Sequence, residues 1–129
     1  MQNPFVVPVE GTNITRIVIG EDRLDVYNAP ALRELSVDLA RTLRYRQILD
    51  LQDVRDADST GLGVMVGADK RALAHGGTLV LTNVSPGLAR TLNITGLDKY
   101  FVIACDLTSA VAFSSVPLPS GDTDTDERH

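Results

Sequence analysis

Asp56-Ala57-Asp58-Ser59-Thr60-Gly61-Leu62-Gly63-Val64-Met65-Val66-Gly67 is the stretch that decides how this chain folds. It follows a strand-like segment, residues 47–54, and runs into a helical one that extends to about residue 75. Asp58, Ser59 and Thr60 are therefore expected on a strand-to-helix turn. A hydroxyl placed there is exposed and sits at a helix N-terminus. Two jobs suit it: capping the helix by accepting a backbone N–H bond, or receiving a phosphate.

Working outward, residues 5–9 and 15–20 read as strands around a turn at Glu10-Gly11-Thr12-Asn13. Ile17 and Ile19 alternate with Arg16 and Val18 in the second strand. A first helix is expected from Asn28 as N-cap, with Pro30 in its first turn and Leu32, Leu35, Leu39 and Leu43 on one face. The second helix is expected over about 60–75, with Leu62 to Val66 apolar nearly all round and Asp69, Lys70 and Arg71 marking its wet side. Gly63 and Gly67 each cost about 1 kcal/mol in a helix interior, so close approach of something to that face is expected. Gly76-Gly77 stops this helix, and Leu79-Val80-Leu81 is the apolar run of a central strand. Ser85-Pro86 opens a third helix to about Asn93, Phe101 to Ala104 form a last strand, and Asp106 caps a final helix to about Phe113. The expected order is ββαβαβαβα: an α/β domain with a mixed, mostly parallel sheet of about five strands and about four helices.

The chain has 129 residues, 43% of them apolar, which is enough for one globular domain with a real core. Residues 1–113 are expected to be that domain, and residues 114–129, rich in Pro, Ser, Gly, Thr and Asp, a disordered acidic tail. The net charge is −5, and the tail accounts for −3 of it. Binding nucleic acid by counterion release needs the opposite sign, and with no Trp and 5% aromatics there is no stacking platform for single strands. Cys105 is the lone cysteine, so an intrachain disulfide and a cysteine metal cluster are excluded. After Phe101-Val102-Ile103-Ala104 it reads as a buried structural thiol. Neither a signal peptide nor a membrane span is recognisable, so a soluble cytoplasmic protein is expected.

The opening stretch, with its surroundings, resembles the STAS domains of bacterial anti-sigma factor antagonists. Their Asp-Ser-Ser/Thr-Gly-Leu/Ile-Gly hallmark stands here as Asp58-Ser59-Thr60-Gly61-Leu62-Gly63. Leu24-Asp25-Val26-Tyr27-Asn28-Ala29-Pro30, Gly76-Gly77-Thr78-Leu79 and Thr95-Gly96-Leu97 match further family segments in order, so the resemblance covers roughly residues 5–113. One departure is Asp22-Arg23-Leu24-Asp25, where Gly-Glu-Leu/Ile-Asp is usual. The resemblance implies a non-enzymatic partner switch. The unphosphorylated chain would bind an anti-sigma factor that is itself an ATP- and Mg-dependent serine kinase, releasing a sigma factor. Phosphorylation of Ser59, with Thr60 as second choice, would end binding, and a PP2C-type phosphatase would restore it. The implied partner-binding residues are Asp25, Asp58, Ser59, Thr60, Gly61, Leu62 and Gly63, with no cofactor or metal, and a monomer or weak dimer when free.

The residues themselves leave alternatives. Ser59 reads as an N-cap worth about 1 kcal/mol, and, given the resemblance, as a phosphoacceptor as well. Thr60, one position further in, is expected to be the less free hydroxyl. Asp58 reads as a turn-former whose carboxylate bonds nearby N–H groups. Asp25 is a helix-entry residue or a contact beside Ser59, and Asp53 and Asp56 are either an acidic rim or ordinary loop residues. Gly61, Gly63 and Gly67 do not make the dinucleotide fingerprint, so a small-anion or nucleotide site is a weak alternative. A scaffolding STAS module in stress signalling, never phosphorylated, is the other. A serine hydrolase is excluded by geometry: the G-x-S-x-G elbow is missing, and His75 lies roughly 24 Å from Ser59 along the helix.

Overall fold

The computed structural model describes residues 4–115. Seven strands and four α-helices follow one another as β1 (Phe5–Pro8), β2 (Thr15–Val18), β3 (Arg23–Leu24), α1 (Ala29–Arg41), β4 (Arg46–Asp50), β5 (Asp56–Ala57), α2 (Ser59–Ala74), β6 (Thr78–Thr82), α3 (Pro86–Thr95), β7 (Val102–Ala104) and α4 (Leu107–Ser115). A 3-10 turn, Leu97–Lys99, leads from α3 to β7. Five strands form one sheet in the order β1-β2-β4-β6-β7. The β1–β2 pair is antiparallel and the remaining pairs are parallel. The mixed, mostly parallel sheet is thus as expected from the sequence.

Alternation within the strands sorts side chains to the two faces. Ile17, Leu49, Leu79 and Leu81 point to the face covered by α1, α2 and α3, where they meet Leu32, Leu39, Leu62, Met65, Leu88 and Leu92. Ile14, Ile48, Val80 and Ala104 point to the other face, under Ala110 of α4. A fully buried leucine or isoleucine contributes about 1.5–3 kcal/mol, so the larger cluster dominates the fold's stability. Caps fall where the sequence places them at two helices. Ser85 Oγ accepts from Leu88 N at 3.1 Å, and Asp106 Oδ1 accepts from Ser109 N at 2.8 Å. Gly76 ends the α2 region with φ +80°.

Several expectations are corrected. The run 47–54 is not one strand: β4 ends at Asp50, and Leu51 and Val54 are buried inside a loop. Their burial mimics a strand's pattern without its ladder. Two short parallel strands, β3 and β5, pair Arg23 with Asp56 and Leu24 with Ala57. Leu43 lies past the end of α1, 74% exposed and at φ 63°, so the helical stripe stops at Leu39. Asp69 is buried, and Arg71 reaches Ser36 Oγ on α1 at 3.0 Å, so neither marks a wet side of α2. Cys105 is exposed on the link from β7 to α4, with Sγ 3.8 Å from Ser109 Oγ. The last helix reaches Ser115, two residues beyond the expected domain boundary, and the rest of the expected tail lies outside the described residues.

The glycines sort differently from expectation too. A side chain at Gly63 would meet nothing within 4 Å, and at Gly67 only the Arg71 guanidinium at 3.6 Å. The close approach is at Gly61, where a Cβ would be driven into the Leu24 carbonyl. Gly61→Ala is therefore expected to cost about 1–3 kcal/mol by overpacking. Gly63→Ala is expected to be neutral or to stabilise by up to about 1 kcal/mol. Urea unfolding of the two variants checks the contrast, and equal effects would contradict it.

Candidate functional site

The C-terminal end of β4 carries a buried anchor that sequence reasoning missed. Asp50 is 1% exposed and accepts from Arg16 Nε at 3.0 Å and Nη2 at 2.6 Å. Its other oxygen accepts from Gln52 N and Asn83 Nδ2, both at 3.1 Å. One carboxylate thereby ties β2, β4 and the loop after β6 together and starts the turn toward β5. No spacing in the sequence marks it: a single Asp closing an apolar strand is indistinguishable from a loop residue.

Asp56 is likewise more than a solvated loop residue. Its Oδ1 accepts from Thr91 Oγ1 at 2.7 Å and from Ala57 N at 2.8 Å. These two bonds, the Thr91 hydroxyl first and the Ala57 amide second, together with the Arg23 charge, hold its carboxyl below the usual value of 3.8. The pair fastens β5 to α3, just ahead of the α2 turn.

Asp58, not Ser59, is the N-cap of α2. Its backbone is extended, and Oδ1 accepts from Gly61 N at 2.9 Å. The second oxygen, Oδ2, accepts from Val26 N at 3.3 Å, across 32 residues of sequence. The Asp58 amide donates to Leu24 O at 3.1 Å. Two of these bonds join the loop before α1 to the start of α2, and the third caps the helix. The helix amide that Ser59 was expected to cap is already satisfied by its neighbour.

That leaves Ser59 and Thr60 as the first residues of α2, both exposed, and neither hydroxyl has a hydrogen-bond partner among the described residues. Thr60 is no less open than Ser59. Gly63 is exposed one turn further on. Gly61 and Leu62, also expected at a binding face, turn inward: Gly61 against the Leu24 carbonyl and Leu62 into the core. They shape the site from below. Asp25 is half-buried, and its Oδ1 accepts from Tyr27 N at 3.0 Å and Asn28 N at 3.4 Å. Asn28 precedes α1 as expected, but its side chain is spent elsewhere. Its Oδ1 accepts from Asp25 N at 2.8 Å and its Nδ2 donates to Arg23 O at 2.7 Å.

The surface so assembled is an exposed hydroxyl pair flanked by two exposed side chains missed in the sequence, Val26 (54%) and Tyr27 (91%). The available signal was two large apolar residues inside a turn-forming Asp-Val-Tyr-Asn. His75 lies at the opposite end of α2, stacked on Tyr45 with ring centroids 4.4 Å apart. It cannot serve Ser59 as a base. Among the described residues no group of three His, Cys, Asp or Glu could hold a metal, and no helix is long and apolar enough to cross a membrane.

The chain is a three-layer α/β module that presents an exposed serine, without a hydrogen-bond partner among the described residues, on a helix end capped by its neighbour. More particularly, the chain belongs to the STAS domain family, whose model matches residues 7–112. It is 50% identical over 81 residues to the anti-sigma-B factor antagonist of Bacillus subtilis, covering 63% of this chain and 73% of the relative. Against the anti-sigma-B factor antagonist of Listeria monocytogenes the identity is 40% over 95 residues, covering 70% and 78%. A crystal structure described as a candidate anti-sigma factor antagonist from Thermotoga maritima shares the fold, with TM-score 0.80 and 23% identity over 88% of this chain and 95% of that one.

Because the folded pKa of Asp56 is depressed, the bonds to Thr91 and Ala57 contribute stability that is present above the ordinary value of 3.8 and lost as the pH falls through the folded value. Thr91→Val removes the leading cause. It is expected to raise the Asp56 pKa in an NMR titration and to flatten the loss of stability below pH 3.8. An unchanged titration would contradict the β5–α3 fastening.

Proposed function

We propose that this chain is an anti-sigma factor antagonist that works by partner switching and is governed by phosphorylation of Ser59. The observation that carries the proposal is the Ser59 hydroxyl, exposed and without a hydrogen-bond partner among the described residues, on a helix end whose cap is supplied by a different residue. A hydroxyl that is not needed for the fold is free to be modified. The names of the Bacillus subtilis and Listeria monocytogenes relatives support the same reading.

The unphosphorylated form binds an anti-sigma factor through the surface around Asp25, Ser59, Thr60 and Gly63, and a sigma factor is released. The anti-sigma factor is itself a serine kinase that uses ATP and Mg, and it modifies Ser59. A phosphate adds roughly −1.5 to −2 charges. At the helix N-terminus that charge is favoured by the dipole by about 0.3–1 kcal/mol. Asp58, next to it, opposes this term at close range. The two effects offset each other within the domain, so the fold persists while the surface turns strongly anionic. A partner packed over the Ser59 hydroxyl must then make room for the phosphate and desolvate its charge, and it dissociates. A PP2C-type phosphatase returns the hydroxyl, and the protein acts in the cytoplasm.

A free-anion or nucleotide site is disfavoured by Asp58, whose carboxylate already occupies the Gly61 amide that an anion would use. A scaffold that is never phosphorylated has no observation of its own in its favour.

Incubation with host lysate and Mg-ATP is expected to add one phosphoryl group, about 80 Da by intact mass, to the protein and none to Ser59→Ala. Ser59→Ala is expected to keep binding its anti-sigma factor after that treatment, and Ser59→Glu to bind at least about tenfold more weakly, the factor that 1.4 kcal/mol corresponds to. Wild-type affinity in Ser59→Glu would refute the charge mechanism. Phosphate retained in Ser59→Ala would move the site to Thr60.

A further inference from the structure

Tyr27 is the most exposed of the large apolar side chains described, at 91%, and Val26 beside it is 54% exposed. Elsewhere on the surface Leu43 and Ile94 stand out singly, which is ordinary. The Val26–Tyr27 turn differs because its backbone is fully held. Asp25 N donates to Asn28 Oδ1, Val26 N to Asp58 Oδ2, Tyr27 N to Asp25 Oδ1, and Asn28 N to Asp25 O at 3.2 Å. Every amide of the turn is engaged, and one of the bonds comes from the residue immediately before Ser59. The ring thus projects from a preformed platform whose position is fixed relative to the switch serine.

A tyrosine presented this way is suited to being gripped. It has only two side-chain torsions to immobilise, and its backbone is already ordered, so little conformational entropy remains to be lost on binding. Tyrosine is among the residues enriched at binding hot spots, where a few anchors carry most of the affinity. The surroundings define what can do the gripping. Residues 20–28 and 51–60, the two loops that meet here, carry six carboxylates against Arg23 and Arg55. A complementary surface is apolar at its centre and basic at its rim.

We infer that the Val26–Tyr27 turn is the affinity anchor of the partner-binding face, inserting the Tyr27 ring into an apolar socket of the anti-sigma factor that is rimmed by basic side chains. The inference rests on the antagonist reading above and adds a residue-level division of labour. Tyr27 supplies affinity, Ser59 supplies the switch, and Asp58 is a positioning residue that holds one beside the other. A phosphate on Ser59 then stands beside the ring as added bulk and a charge to be desolvated, where the partner must close over the turn.

The test is titration calorimetry against the anti-sigma-B factor of Bacillus subtilis, the factor named by the 50% identical relative. Tyr27→Ala is expected to lose affinity about 30-fold or more, the size of a hot-spot truncation, with an unchanged melting temperature, since the ring contributes nothing to the core. Tyr27→Phe, which keeps the ring, is expected to bind within about threefold of wild type, because the apolar area entering the socket is retained. Tyr27→Asp is expected to abolish binding while Ser59 stays unmodified. Wild-type affinity in Tyr27→Ala, with Ser59→Glu still unable to bind, would overturn the anchor and leave the antagonist reading standing. Loss of binding in Tyr27→Phe equal to that in Tyr27→Ala would overturn the apolar socket. Absence of binding by the wild type, or full binding by Ser59→Glu, would overturn both readings together.

Discussion

The carboxylate of Asp58 is the constraint on which the site depends. One oxygen takes a helix amide at Gly61, the other takes the Val26 amide from a loop 32 residues earlier, and the Asp58 backbone reaches Leu24. An N-cap alone is worth about 1 kcal/mol and could be replaced by Ser, Thr or Asn. The second bond is what a simple cap lacks. It turns two separate loops into one surface, and it does so without using the serine that follows. The Ser59 hydroxyl is left idle in the fold, which is the condition that the proposed switch requires.

The rest of the architecture serves that junction. The β3–β5 pairing sets Leu24 against Ala57 and so brings the two loops into register. Gly61 lets α2 start directly over the Leu24 carbonyl, which any side chain would obstruct. Beneath, Asp50 gathers Arg16, Gln52 and Asn83 at the end of the central strand, and Asp56 reaches Thr91 on α3. Three aspartates at the same end of the sheet thus each join segments that are distant in sequence. A buried or half-buried carboxylate is stable here because its oxygens are filled by backbone amides, a guanidinium or a side-chain donor. The acidity of this end is a consequence of how the loops are tied, and it also fixes the sign of charge a partner meets.

Most of the fold was legible in the sequence because periodicity and punctuation agree along most of it. Leu32 and Leu39, Ser85-Pro86, Gly76-Gly77 and Leu79-Val80-Leu81 each say locally what the tertiary structure requires. What was not legible is non-local. Two-residue strands have no period, so β3 and β5 leave no trace, and Leu51 and Val54 look like strand because burial, not pairing, selects apolar residues. Asp69 looks solvated because its helix neighbours are charged, yet it is buried. The same limit applies at the site. Asp58, Ser59 and Thr60 were placed on the correct turn, but which of them caps is decided by the direction of the Asp58 side chain. Gly61 and Leu62 belong to the motif as support and not as surface. Val26 and Tyr27 are not legible as surface, because an apolar pair in a turn gives no local sign of facing solvent.

The most direct test of this account is amide hydrogen exchange, read residue by residue by NMR, in the wild type and in Asp58→Ala. If one carboxylate joins the two loops, the Val26 and Gly61 amides lose protection together, while the amides of β4 and β6 keep theirs. Loss of protection at Gly61 alone, with Val26 unchanged, would mean that Asp58 is only a helix cap and that the surface around Ser59 is held together by something else.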